Sequence, residues 1–120
     1  MKGWPTYHDC NSFGPMGNQG CGVVGDSPES IGPGFNRAGG GWYAVERTET
    51  FIKVWFWGRN DPGVPVDVKD SLGSVSPSTW GTPTAHFVNK SCDLTKIFGP
   101  NNFVIVRGRL IVLGSALAAS

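Results

Sequence analysis

"GGGWYAVERTETFIKVWFWGR" spans residues 39–59, and the fold turns on how it is read. Three glycines lead into two runs rich in aromatic and β-branched residues, 42–48 (WYAVERT) and 51–57 (FIKVWFW). Only Glu49 and Thr50 lie between them, so the spacing predicts two strands closing as an antiparallel hairpin. The turn contains neither glycine nor asparagine, which leaves its boundaries open.

Outward from this hairpin the chain is punctuated everywhere. Its 120 residues suffice for one domain. Eighteen glycines and nine prolines, with no alanine- or leucine-rich window before the tail, point to an all-β protein with many turns. A content of 39% hydrophobic and 12% aromatic residues is too high for a solvated coil. Residues 1–38 read as ordered loops with at most one short strand, and 58–84 as loop interrupted by Pro62, Pro65, Pro77 and Pro83. "TAHFVN" (84–89) and "NNFVIV" (101–106) are short strand candidates, with "CDLTKIF" (92–98) between them as one helical turn. A lone hairpin is marginal in water and little else here could form a second sheet, so the chain reads as part of a larger domain.

Charge narrows the partners. The net charge is +1 and charged residues make up 16%, with no basic stripe for nucleic acid and no basic amphipathic helix for a membrane surface. The apolar run of the tail, "VRGRLIVLGSALAAS" (106–120), is too short to span a bilayer. No signal peptide follows Met1.

Cys10, Cys21 and Cys92 make an odd count. His8, Cys10 and Cys21 lack the spacing of a metal site, so a Cys10–Cys21 disulfide closing a glycine-rich loop is the preferred reading and no metal is expected. "NKS" at 89–91 makes Asn89 a candidate glycosylation acceptor. "GPGFNRAGGG" lacks the Lys-Ser/Thr of a phosphate loop and precedes a strand, which argues against a phosphate cradle. Hydrolysis of a glycosidic bond with retention needs two carboxylates roughly 5–5.5 Å apart. One strand supplies them at spacings of two or four. No such set occurs: Glu46 and Glu49 fall on opposite faces of a continuing strand, and Asp67 and Asp70 lie in the proline-flanked loop.

The aromatics have two readings. Phe51, Lys53, Trp55 and Trp57 alternate onto one face and Ile52, Val54 and Phe56 onto the other, which is aliphatic and suits a core. The tryptophan face could be a half-exposed sugar platform or the filling between two sheets; the pattern by itself favours filling.

Five blocks in order then carry a resemblance: "GCGV" (20–23), "GPGFNRAGGGWYAVERT" (32–48), "IKVWFWGR" (52–59), "SPSTWGTPTAHF" (76–87) and "SCDL" (91–94). Together they resemble the C-terminal half of fungal glycoside hydrolase family 16, the endo-β-1,3(4)-glucanases or laminarinases. The resemblance implies a concanavalin-A-like β-jelly-roll sandwich of two antiparallel sheets. It further implies a secreted, monomeric enzyme that acts on β-1,3(4)-glucan by a retaining mechanism without a cofactor. The family's Glu-x-Asp-x-x-Glu motif has no counterpart here, so no catalytic residue carries over, and the chain by itself is expected to be inactive. The alternative is a non-catalytic β-glucan-binding module. Carried over as candidate substrate-binding residues are Glu46, Trp55, Arg59 and Trp80. Arg47 stands where the family usually has tryptophan, and Trp57-Gly58 where it has Phe-Pro. The resemblance runs over roughly residues 8–105, and residues 1–105 read as the C-terminal part of a family 16 domain. Residues 106–120 read as an aberrant tail, with Val106-Arg107 compatible with a translated intron donor, and the family's partner for Cys92 is replaced, leaving that cysteine unpaired.

Overall fold

The computed structural model describes residues 1–8, 11, 13–15, 17, 20–70, 73–90 and 93–97. At its centre is a three-stranded antiparallel sheet in the order β3–β4–β5, formed by Gly41–Arg47, Phe51–Gly58 and Ala85–Val88. The predicted hairpin is thus present in register, from Gly41 opposite Gly58 to Arg47 opposite Ile52. Thr48 closes it without glycine. Its amide donates to the Phe51 carbonyl at 2.9 Å, and its Oγ1 accepts from the amides of Thr50 (3.2 Å) and Phe51 (3.1 Å). A hydroxyl thus supplies locally what a primed turn would take from glycine. β5 lies beside β4 with Lys53 opposite His86, as the "TAHFVN" pattern led one to expect.

The three glycines at the head of the hairpin do different work. Gly39 and Gly40 hold φ of +79° and +95°, a region open to glycine but strained for other residues. Gly41 has no room for a side chain: a Cβ there would stand 2.5 Å from the Trp57 carbonyl oxygen and 2.6 Å from the Phe56 ring. The Gly40 amide donates to the Phe35 carbonyl at 2.9 Å, and Arg59 returns an amide to Gly40 at 3.0 Å, so the open end of the hairpin is pinned.

Phe35 belongs to α1, Gly32–Arg37, a helix where the sequence reading placed only loop. "GPGFNR" looks like a breaker, yet proline fits a first helical turn because that amide needs no helical partner. Gly34 permits a close approach to the Pro28 carbonyl oxygen, 2.1 Å from where a Cβ would be built. Two-residue strands β1 (Trp4–Pro5) and β2 (Val23–Val24) pair antiparallel, one more strand than expected in the first 38 residues. The Lys2 and Gly3 amides donate to the carbonyls of Pro83 and Thr84, tying this pair to the approach to β5.

The segment 58–84, expected as loop, begins with the last residue of β4 and contains a short helix α2 (Val66–Lys69) and a 3-10 turn (Pro77–Thr79), each started by a proline. A final turn, α3, covers Leu94–Ile97, as predicted. The strand candidate 101–106, Cys10, Cys92 and the tail lie outside the described residues.

Candidate functional site

Alternation across the register gives the sheet two unlike faces. One carries Trp42, Ala44 and Glu46 on β3, and Trp57, Trp55, Lys53 and Phe51 on β4, with His86 on β5. Most of it is closed. Trp42, Ala44, Trp55, Trp57, Val68 and Trp80 form one buried cluster, with Val64 and Val75 packed against it. Trp80 meets Trp55 and Trp57 edge to face at centroid distances of 5.2 and 6.1 Å. Such offset contacts are favoured by the ring quadrupoles.

Polar bonds hold this lid down. Asp67, on α2, accepts the Trp80 indole N–H at 3.0–3.1 Å and the Ser76 amide at 2.8 Å. Partial burial raises the Asp67 carboxyl, but the hydrogen bonds from Ser76, Trp80 and nearby amides outweigh that and leave it below its ordinary value. The Trp55 indole donates to the Gly81 carbonyl at 3.0 Å.

Two of the expected sugar contacts therefore sit elsewhere. Trp55 and Trp80 are 3% and 6% exposed, so they offer no ring face to a ligand in this structure and serve as core. The tryptophan face is filled rather than exposed, but by α2 and the segment after the 3-10 turn and not by a second sheet as the filling reading had it. Arg59 is engaged as well: its guanidinium lies 4.3 Å from the Trp42 ring centroid, and its Nε donates to the Gly39 carbonyl at 3.3 Å. Cation–π stacking and a turn carbonyl account for that side chain without a ligand.

Glu46 differs. Beyond the cluster the same face stays open as a ledge where Glu46, Lys53 and His86 stand side by side on three strands. Glu46 and Lys53 form a loose ion pair at 3.9 Å, with both side chains about a quarter exposed. The Lys53 ammonium also sits 4.1 Å over the Phe51 ring, and Phe51 meets His86 edge-on at 5.8 Å. The ledge thus offers an acceptor, a charged donor, an imidazole and an apolar ring, a set suited to a neutral, hydroxyl-rich ligand. Glu46 is the only carboxylate at the strand positions of this face, so the ledge does not supply a glycosidic acid/base pair. His86 was missed in the sequence because its neighbours depend on the pairing of β4 with a strand that begins only at Ala85, after the lid.

Asn89 is committed at both ends of its amide. Its Nδ2 donates to the Glu49 carbonyl at 3.1 Å and its Oδ1 accepts the Leu94 amide at 3.3 Å, so it braces the hairpin turn against α3. Cys21 is disulfide-bonded. Among the described residues no group of three His, Cys, Asp or Glu is placed to hold a metal ion, and no helix is long and apolar enough to cross a membrane.

The opposite face carries Tyr43, Val54 and Phe56 with Ala85 and Phe87. Phe35 covers one end, its ring 6.4 Å from Tyr43 and 6.3 Å from Phe56, and the Tyr43 hydroxyl donates to the Ser30 carbonyl. The rest is an apolar groove of about 700 Å3 whose walls include Trp4, Val24 and Ile31.

Known proteins share this arrangement. The chain is 44% identical, over 88% of its length, to a probable endo-1,3(4)-β-glucanase of Neosartorya fischeri. It is 40% identical over 73% to an endo-1,3(4)-β-glucanase of Arthroderma benhamiae. It spans only 15% and 19% of those proteins. Its structure superposes on laminarinase 16A of Phanerochaete chrysosporium, solved with 6-O-glucosyl-laminaritriose in donor and acceptor sites, with a TM-score of 0.74 and 47% identity. That match covers 78% of this chain and 31% of the laminarinase. An elongating family 16 β-1,3-glucosyltransferase matches with a TM-score of 0.66 and 37% identity. The antiparallel sheet is accordingly part of a β-jelly-roll. The family model of XgeA-like catalytic domains of glycoside hydrolase family 16 matches residues 3–107, and with that span the chain belongs to this family.

Proposed function

We propose that the chain is part of an endo-β-1,3(4)-glucanase hydrolysing β-glucan with retention, and that these 120 residues by themselves do not turn it over. The activity is supported by what the similar glucanases and the laminarinase are described as acting on or binding. The inactivity rests on one observation: the open ledge carries Glu46 as its single strand-borne carboxylate, where the reaction needs an acid/base and a nucleophile. The role of the ledge is to border the glucan, Glu46 and Lys53 holding hydroxyls while Phe51 covers an apolar sugar face. A glucosyltransferase differs only in letting a sugar hydroxyl replace water as acceptor.

A reducing-sugar assay on laminarin with the isolated chain, run beside sedimentation with insoluble β-glucan, tests this reading. No release of sugar ends is expected; turnover by the chain would sink the inactivity claim. A pure binding module would instead be retained on β-glucan, but burial of Trp55 and Trp80 removes its platform, so retention is expected to be weak. The disulfide at Cys21 supports secretion, since such bonds persist in oxidising compartments. Recovery of the protein from culture medium rather than cell extract checks that.

A further inference from the structure

We propose that Lys53 is a gate on Phe51: its ammonium rests on the ring face that a sugar would take, and it must move onto Glu46 before a neutral glucan can stack there. The proposal rests on the bordering role of the ledge and assigns the side chain that limits it. The three residues form one patch of the open sheet face. Glu46 stands opposite Lys53 across the β3–β4 ladder, and Phe51 precedes Lys53 by two positions on β4.

The ring is the fixed partner. Thr48 holds Phe51 by both backbone groups, its Oγ1 accepting the Phe51 amide at 3.1 Å and its own amide donating to the Phe51 carbonyl at 2.9 Å. His86 meets the ring edge-on at 5.8 Å. Lys53 is the movable one, an ammonium on a flexible four-carbon stem whose side chain is 28% exposed. Its Nζ stands 4.1 Å from the Phe51 centroid and 3.9 Å from Glu46 Oε2. The second distance is well beyond the ~2.7–2.9 Å of a charge-assisted hydrogen bond, so the carboxylate is a second berth that the ammonium has not yet taken. An ammonium and the polarised C–H groups on the flat face of a β-linked glucose both seek the negative face of an aromatic ring. At 4.1 Å the ammonium fills the place those C–H groups would occupy, so the two occupants exclude each other. Moving to Glu46 tightens the ion pair and bares the ring, and an ammonium with three donors still has N–H groups left for sugar hydroxyls. The affinity of the ledge for a neutral glucan is then set by how readily Lys53 leaves Phe51.

NMR of the 120-residue chain, with and without a β-1,3-linked glucose pentasaccharide, tests the gate. In the free chain the Lys53 ε-methylene signals are expected upfield of ordinary lysine values through the Phe51 ring current, and saturating sugar should return them. Glu46→Gln keeps an acceptor for sugar hydroxyls but removes the charge that draws the ammonium off the ring. The upfield shift should therefore grow, and the pentasaccharide should bind about threefold more weakly. Lys53→Ala leaves the ring bare, and in that background Glu46→Gln should change the affinity by less than about 1.5-fold, the non-additivity of a coupled pair. Equal weakening by Glu46→Gln with and without Lys53 would overturn the gate and leave the bordering role intact. So would Lys53 signals that are unshifted in the free chain or stay upfield in the complex. Absence of binding by the wild type and every variant, the bare-ring Lys53→Ala included, would sink the bordering role and the gate with it.

Discussion

The two faces of the β3–β4–β5 sheet are built from neighbouring residues of the same strands, yet one is closed and the other open. Trp42, Trp55 and Trp57 are each at most 5% exposed, while Tyr43, Val54 and Phe56, one position away along the chain, are half-buried over a groove. Hydropathy does not separate them, since both faces are apolar. What separates them is a lid: α2 and the 3-10 turn fold over one face because Asp67 fastens Trp80 and Ser76, and among the described residues no comparable segment crosses the other. Burial here is decided by a few polar bonds in a loop as much as by the strands beneath it.

The largest change is expected from Trp80→Ala, which removes the keystone of the closed face. A loss of about 3–5 kcal/mol, read from the urea midpoint, accords with truncating a buried aromatic. A smaller loss would mean that the lid contributes less than its packing implies. Next comes Gly41→Ala, whose added methyl would meet the Trp57 carbonyl and the Phe56 ring. About 1–3 kcal/mol is expected from such overpacking, with chemical-shift changes concentrated at the hairpin's open end.

Asp67→Asn should cost about 1 kcal/mol, because an amide presents a donor where two donors already point, at a site only partly shielded from water. Its pH signature is distinctive. Asp67 titrates below its ordinary value near 3.8 in the folded protein, so its contribution is full above that value. It disappears as the pH falls through the lower folded value. The variant should melt with a flatter dependence on pH in this acidic window; equal slopes would show that the carboxylate does not hold the lid. Ile31→Glu on the open groove should move stability by less than about 0.5 kcal/mol, as for surface sites generally. A large loss there would mean that the groove is covered in the isolated chain.

Much of the hairpin was legible. Alternation along 51–57 told which residues of that strand share a face, whereas the register waited on the Thr48 hydrogen bonds that close the turn. The same alternation could not say which face the lid would take, because that depends on Asp67 meeting Trp80 thirteen residues later. α1 stayed hidden for a related reason: Gly32, Pro33 and Gly34 have poor helix propensity, and the helix exists because Phe35 is 7% exposed against Tyr43 and Phe56. Of the candidate site residues, Glu46 alone reaches the open ledge. The family blocks point to a region of the fold, whereas the exposure of each side chain depends on what packs over it.

The unequal faces also divide the chain's intrinsic fluorescence. Four of the five tryptophans are 3–6% exposed within or beside one edge-to-face cluster, whereas Trp4 stands 55% exposed on the rim of the groove. Iodide should therefore quench one emitter and spare four, and the quenched one stands on the rim of the open groove. The wild-type chain carries its own optical reporter of that groove, with the buried cluster as an internal reference that should dim only when the fold itself is lost.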